Sequence, residues 1–572
     1  MPRIEAQWLR TGAPRTVLRL RHGAREVVYT DHGERYTLTE RATGRSLVAV
    51  PGLTVSTSDL ERVIAFEIGE DGSRSASVVL TPSYDVALDV EAGRSVTGAW
   101  AELSQVWSGM EWEDRRILLR GVASAPVWGG LGEPLEFTIT TDPDAGARSW
   151  PPSTWYVTDS TWPRDDAHRP SAYIGANPGR DSNTDGAIYP LIIGYPGSYV
   201  RLSQLSGALI TTQVPAVPAL YVEGSDSAGN LTDHAVLCAG GVCAATQLTI
   251  INVTAGDQWT DPTPGRQQDQ LGQTVTAATP YSLTGTSDVP SEGDDLYSTW
   301  PITDGGGLPN PYGTGCLRRA DHVLRWCLEQ SGLRVDHSKL ANLSALSGIG
   351  IDTYIDAAVD DLWTWAKANL LPLLPARAAE GPEGHYAYAL DVWATEAQAV
   401  ARLEEGRNAE RTSRVTAGPI AEVVNRFSIS FAPNLYSDLN CSTITITGRQ
   451  SAEEEADANI LTDYVCARSQ AVAEIGVRDG GVIEAPVFYE HASAIQALRA
   501  MAQLRAVPPL RLSYALGPEL GWLAPGDVVA VTSTRLHWTD RVAHVEAVAP
   551  LGAGVEVQLV VIGIHALQGA GA

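Results

Sequence analysis

Lysine is almost missing from this chain. Only Lys339 and Lys367 occur, and the rest of the 41 basic residues are arginine. High-GC coding explains that bias better than site chemistry does. No run of about 18 apolar residues exists, which excludes a bilayer-spanning helix. The opening stretch, MPRIEAQWLRTG, lacks the apolar segment of a secretory signal. The expectation is therefore a product made in a cytoplasm and held there until release. Basic charge is scarce beside 67 acidic residues, and the formal net charge is -26. That balance argues against groove-type nucleic-acid binding, which needs a basic footprint. Solubility accounts for the acids; a lumen wall that repels DNA is the sharper reading.

Cysteine is sparse and unpatterned. The six residues at 238, 243, 316, 327, 441 and 466 form no CxxC pair and no Cys/His zinc spacing. Cys238 and Cys243 flank a Gly-Gly turn, so a local disulfide is open, with buried thiols the default. Catalytic signatures are missing too: there is no HExxH, GxSxG or P-loop. Gly305–Gly307 follow Asp304 but precede no helix, so they read as a turn. Carboxylates are so abundant that pairing two for acid–base work is arbitrary. No catalytic, cofactor-binding or metal residue is assigned, no cofactor is expected, and the chain reads as a non-enzyme. The four N-x-S/T sites carry no meaning without secretion.

What is present is mainly β. The chain of 572 residues is long enough for three to five domains, and 44% hydrophobic content supplies several cores. Residues 1–140 show short β-rich runs punctuated by Gly or Pro, such as TVLRLRHG, RSLVAVPG and LEFTITTDP, at the spacing of a small barrel or sandwich. Residues 141–188 read as an irregular linker that must pack, because it carries Trp150, Trp155 and Trp162. Residues 189–300 read as an inserted β domain, with an irregular connection from 286. Residues 301–412 read as an α+β domain and 413–572 as a second β-barrel with helical insertions. The fold class expected is thus mainly β and multi-domain, with a smaller α+β part.

Helices are expected over 316–331, with Leu317, Ala320, Val323, Leu324, Cys327 and Leu328 on one stripe and Gly332 as the stop. Others are expected over 352–371, ending at Pro372, over 395–406 behind a Thr395 cap, and over 490–507, with mixed helix at 451–475. Asp352, Asp356 and Asp360 would share one helix face beside Asp361 as a solvated or lumen-facing acidic stripe. Glu453, Glu454 and Glu455 read the same way. Trp363 and Trp365 point to different faces, one toward the core and one toward a contact. Asp181, Asn183, Asp185 and Gly186 open like a calcium loop, but the twelfth position is Ile192 and not Glu, so an Asx-rich turn accounts for them.

Four segments taken in order resemble the baseplate hub, or tail-tip, proteins of long-tailed phages and gene transfer agents. They are RRILLRGVASAPVWGGLGEPLEFTITTD (115–142), YPLIIGYPG (189–197), the 351–390 stretch with its LLP turn and Gly-aromatic hairpin, and PLRLSYALGPELGWLAPGDVVAVTSTRLHWTDRVAHVEAV (509–548). In the last, Pro525-Gly526-Asp527 makes a tight turn into a Val-rich strand. The resemblance implies a structural virion protein at the tail tip. It implies a homotrimer with two tail-tube-like barrels per chain, near 1–140 and 413–570, that adapts a sixfold tube to a threefold tip. Its implied neighbours are the distal tail protein, the tube ring, the tape measure protein and a spike or central fibre. Genomic DNA would cross its lumen without specific binding. A distal tail ring or fibre-attachment protein is the alternative, and a carbohydrate-binding or carbohydrate-cleaving tail protein a more distant one.

Overall fold

The computed structural model describes residues 15–567 except 23–24, 57–61, 64–74, 82–96, 108–110, 131–132, 141–146, 159–185, 203–208, 226–230, 241–247, 262–264, 269–273, 279–292, 301–306, 382, 449–452, 454–456, 458, 463–475 and 552–553. The fold is mainly β, built from several sheets with few helices.

Alternation dictates the first sheet. In Arg15–His22, Leu18 and Leu20 point to one buried side, while Val17 joins a second buried cluster with Trp107 and Trp112. The strands run in the order Tyr36–Thr39, Ser46–Pro51, Arg25–Thr30, Arg15–His22, Trp100–Val106, Arg116–Ala123, Leu135–Thr140, Ser75–Leu80, Leu53–Ser56, with Val127–Trp128 paired to Leu135–Thr140 off this path. Ser46–Pro51 and Leu53–Ser56 are one continuous piece of chain. Val50 and Pro51 pair in parallel with Tyr29 and Thr30, and Leu53–Ser56 pairs antiparallel with Ser75–Leu80. The sheet therefore closes into a barrel, and among the described residues the strands paired on one side alone, Tyr36–Thr39 and Val127–Trp128, are short.

The second closed sheet is made the same way. Its path is Ala401–Glu404, Val528–Ser533, Trp538–Leu551, Gly554–Val561, Leu510–Leu516, Ala409–Arg411. Here 401–404 pairs in parallel with 529–532, and 409–411 pairs antiparallel with 514–516. Both barrels thus consist of one split strand, a following strand and a three-strand meander, joined in the same cyclic order with the same senses. The first barrel adds the Arg15–Thr30 hairpin between the meander and the split strand. Arg62–Val63 of the first barrel's chain pairs with Val548 and Ala547 of the second, which ties the two together. The second barrel takes its closing strand from 401–411, ahead of the 413–572 range read from sequence.

The largest core lies outside the barrels' own clusters. Two four-stranded sheets from 217–299 and a four-stranded sheet from 426–485 contribute to it. So do helices α1 (Ala320–Gln330), α2 (Leu362–Asn369) and α3 (His491–Arg505). The α1 stripe is fully buried as expected, and Gly332 follows it with φ 81°. The linker tryptophans Trp150 and Trp155 pack on this core, with ring centroids 6.2 Å apart. The Trp155 indole N–H donates to the Tyr189 carbonyl at 2.8 Å. Trp162 lies outside the described residues.

Two expected helices are corrected. The 352–371 stretch begins as strand Thr353–Ile355, paired with Leu191–Ile193, and turns helical only at Leu362. Asp361 sets that start: its carboxylate accepts from the Thr364 N–H at 2.8 Å, an N-cap that satisfies a donor the helix leaves unpaired. The Thr395 stretch makes only one 3-10 turn, Glu396–Gln398, closed by a Thr395/Gln398 capping box. The chain then enters strand Ala401–Glu404 because Leu403 is needed in the second barrel's core. Tertiary burial overrides a helical pattern there. Within 451–475, the described residues include strand Ile460–Thr462.

Candidate functional site: the junction of the two barrels

The equivalent meanders carry a short repeat. Trp112-Glu-Asp-Arg115 precedes the second meander strand of the first barrel, and Trp538-Thr-Asp-Arg541 opens that of the second. In both, the arginine guanidinium lies over its tryptophan ring, at 4.3 Å for Arg115 and 4.4 Å for Arg541. The repeat is four residues long and its two copies stand far apart, so the sequence alone does not single it out.

Around Trp112 the first barrel holds a buried charge network. Glu102 is 1% exposed on a central strand. Its carboxylate accepts from Arg115 at 2.5 and 3.0 Å and from Arg120 at 2.6 Å. Burial pushes this carboxyl upward in pKa, but the two arginines outweigh it and hold it below the usual carboxylate range. Arg120 also reaches Glu383 at 2.6 Å, and Glu383 takes Arg334 at 3.0 Å. The chain of charges therefore fastens the barrel to the α+β part.

The second barrel meets this surface through its 517–527 connection. Trp522 packs against the cluster of Val17, Val106, Trp107 and Trp112. Beside it, Arg116 is buried and donates to the Gln105 side-chain oxygen at 3.2 Å; burial lowers its pKa to about 10. A Cβ on Gly521 would stand 2.8 Å from the Arg116 Nη1, so glycine lets the two barrels approach.

The Pro525-Gly526-Asp527 turn locks the same connection onto the α+β part. The Asp527 carboxylate accepts from the Ala524 N–H at 2.8 Å and from Lys339 at 3.4 Å. The Gly526 N–H donates to Val545 at 2.9 Å, and Asn342 donates to the Gly526 carbonyl at 3.3 Å. Gly526 has φ 88°, and a Cβ there would fall 2.3 Å from Cγ of Tyr388. Only glycine fits both demands. A cavity of about 870 Å³ opens beside the turn, with Arg115, Lys339, Asp391 and Trp522 in its wall. It is the place where both barrels and the α+β part meet.

The acidic residues singled out from sequence do not form a stripe. Asp352 is 1% exposed and bound bidentate to Arg318 at 2.7 and 3.0 Å, with Glu490 on the same arginine at 2.5 Å. Asp361 is the cap, while Asp356 and Asp360 are exposed outside α2. Strand geometry and a buried ion pair replace the helix face that the spacing implied. Glu453 is exposed, and Glu454 and Glu455 lie outside the described residues. Asp181, Asn183 and Asp185 also lie outside them. Ile192, at the expected ligand position, is buried in the ladder with Tyr354. Trp363 is fully buried and Trp365 half-buried against the same core. Cys238 is buried, its proposed partner Cys243 lies outside the described residues, as does Cys466, and Cys316, Cys327 and Cys441 are thiols. Among the described residues no group of three or more His, Cys, Asp or Glu is placed to hold a metal ion. No helix among them is long and apolar enough to cross a membrane.

No protein-family model matches the chain, and no curated protein matches it. Three solved structures match the chain at low identity and low TM-score. A 43 kDa tail protein of prophage MuSo2 from Shewanella oneidensis is 8% identical, over 97% of this chain and 100% of that one, with TM-score 0.34. The tail protein from Neisseria meningitidis MC58 is 13% identical, over 64% and 96%, with TM-score 0.25. A chain in the virion of a native gene transfer agent particle is 13% identical, over 52% and 82%, with TM-score 0.19.

Proposed function

We propose that this chain is a structural tail protein of a phage or phage-like particle, and specifically the trimeric baseplate hub that closes the tail tube. The observation that carries the reading is the pair of barrels with one strand order in one chain. Three copies present six comparable barrels around an axis. That number matches a sixfold tube on one side while the remainder of the chain stays threefold on the other. The order of the four hub-like segments, ending on the Pro525-Gly526-Asp527 turn that locks the second barrel, points the same way. The barrels form the tube-facing ring, the first near 1–140 and the second near 413–570 with its closing strand from 401–411. The β domain of 189–300 and the α+β part of 301–412 lie outside or below it.

The partners that follow are the distal tail protein and tube ring above, the tape measure protein in the lumen, and a spike or central fibre below. Genomic DNA passes through at ejection without being gripped. Its role is mechanical, with no turnover. Purified chain that forms trimers by light scattering supports this reading; monomers or hexamers alone in the assembled tip contradict it.

A further inference from the structure

We infer that the cavity where the two barrels and the α+β part meet is filled by apolar side chains of this chain's own opening segment, residues 1–14. The inference goes beyond the hub reading and does not rest on it.

The cavity suits an apolar occupant. Its volume of about 870 Å³ lies among those of pockets that enclose a small ligand, about 300–1,000 Å³. Ala341, Ala345, Val400, Trp522 and Pro525 give it apolar wall. Val400 is 52% exposed, a large apolar side chain left open to water where a cover would bury it. The polar groups of the wall are already committed. The Asn342 amide accepts from the Ala389 N–H and donates to the Ala389 and Gly526 carbonyls, each at 3.3 Å. Asp391 accepts from the Trp393 N–H at 3.0 Å and from Gln398 at 3.3 Å. Lys339 reaches Asp527 at 3.4 Å. A sugar or a free anion would have to displace these bonds, whereas apolar side chains need none of them.

The chain brings such side chains to the right place. Arg15, the first described residue, pairs with Val106 at the end of the strand that leads to Trp107. The Arg15 guanidinium lies 4.6 Å from the Tyr36 ring centroid. Tyr36 and Trp522 pack against one cluster, and Trp522 is cavity wall. Glu113 and Arg115, just past Trp112 at the same end of the barrel, are wall as well. The opening segment therefore joins the first barrel beside the cavity, and a stretch of its length reaches up to about 46 Å. It carries Ile4, Trp8 and Leu9, whereas 568–572 at the other end of the chain, Gln-Gly-Ala-Gly-Ala, has no large apolar side chain. Charge agrees with this choice. The wall sets Glu113, Asp391 and Asp527 against Arg115 and Lys339, while the segment sets Arg3 and Arg10 against Glu5. Seated there, the segment straps the first barrel to the second barrel and to the α+β part.

Two measurements on the full chain test this. In limited trypsin digestion, release of the 4–10 peptide, which cleavage after Arg3 and Arg10 frees, reports how often the segment leaves the wall. Ala345→Glu and Val400→Asp each put a charge in the wall at an exposed position, so circular dichroism should match wild type. Tyr436→Asp, at an exposed hairpin tip, serves as the control. Both wall variants should release the peptide about 10-fold faster or more than wild type and control. Equal release from every chain overturns the inference. The second measurement combines Gln7→Cys with Ala341→Cys and joins them with a short bis-maleimide, in an equal mixture of heavy-isotope-labelled and unlabelled chains. Bridges between peptides of one label are expected. Bridges of mixed label put a neighbouring copy's segment in the cavity, and these, like the lack of any bridge, overturn the assignment. None of these outcomes decides the number of subunits, so the hub reading stands or falls separately.

Discussion

Replacing Gly526 with alanine should unseat the second barrel from the α+β part, and two separate terms set the size of the effect. The backbone at Gly526 has φ 88°, which costs an L-residue about 1–2 kcal/mol. The new Cβ would stand 2.3 Å from Cγ and 2.4 Å from Cδ2 of Tyr388, a buried side chain that cannot step aside. Relieving such an overlap in a packed region costs about 1–3 kcal/mol more. The total, about 2–5 kcal/mol, is large beside the stability of one domain. Urea denaturation of the full chain, followed by tryptophan fluorescence, measures it. Trp522 and Trp538 report on the affected barrel, and the transition that contains them is the one to compare, since a multi-domain chain need not unfold in one step. The two terms separate in a double-mutant cycle. In a Tyr388→Ala background the two ring contacts are gone and only the Cβ at 2.8 Å remains, so Gly526→Ala should cost its backbone term plus a much smaller overlap. A loss below about 1 kcal/mol in the wild-type background, or strict additivity in the cycle, would refute the reasoning.

Glu102→Ala removes the shared partner of Arg115 and Arg120 and should destabilise the first barrel by about 3–5 kcal/mol in denaturant, whereas a surface ion pair would cost under about 1. Trp522→Ala strips the apolar contact between barrels and should cost about 2–3 kcal/mol, seen as a lower melting temperature with secondary structure retained. Burial lowers the pKa of His544 to about 4, so the unfolded chain takes up this proton first as pH falls below about 6.5. Stability from this group is complete above pH 6.5 and falls by about 3 kcal/mol on the way to pH 4; His544→Gln should flatten that part of the profile, and an unchanged slope would contradict the assignment. In the proposed trimer three chains would bring 3 × (-26) = -78 formal charges to one axis, and its channel surface is expected to be predominantly acidic. A neutral or basic wall with the acids all outside would rule out a DNA-repelling role.

The parts of the fold legible in sequence were those with a clean period. Leu135–Thr140 alternates buried and partly exposed residues, and the α1 stripe repeats every three to four, so both announced themselves. Trp100–Val106 did not: it is buried on both faces and carries Glu102, Ser104 and Gln105 there, so neither alternation nor hydrophobicity marks it. Leu296–Thr299 was hidden inside a stretch that reads as irregular. The acids at 352, 356 and 360 matched a helix by spacing, yet Asp352 answers to Arg318 and Asp361 to the helix end, and neither partner can be read from spacing. The junction itself was half legible. Pro525-Gly526-Asp527 stood out as a turn, but that Gly526 must clear Tyr388, and Gly521 Arg116, depends on contacts between segments far apart in the chain.

The central claim is that one chain supplies two equivalent barrels to a six-position ring. Symmetric imaging of the purified tail tip tests it most directly. Three copies of this chain are expected around the axis, their six barrels in register with the sixfold tube above and threefold density below. Six copies in a sixfold ring, or three copies whose two barrels lie at different radii, would contradict it.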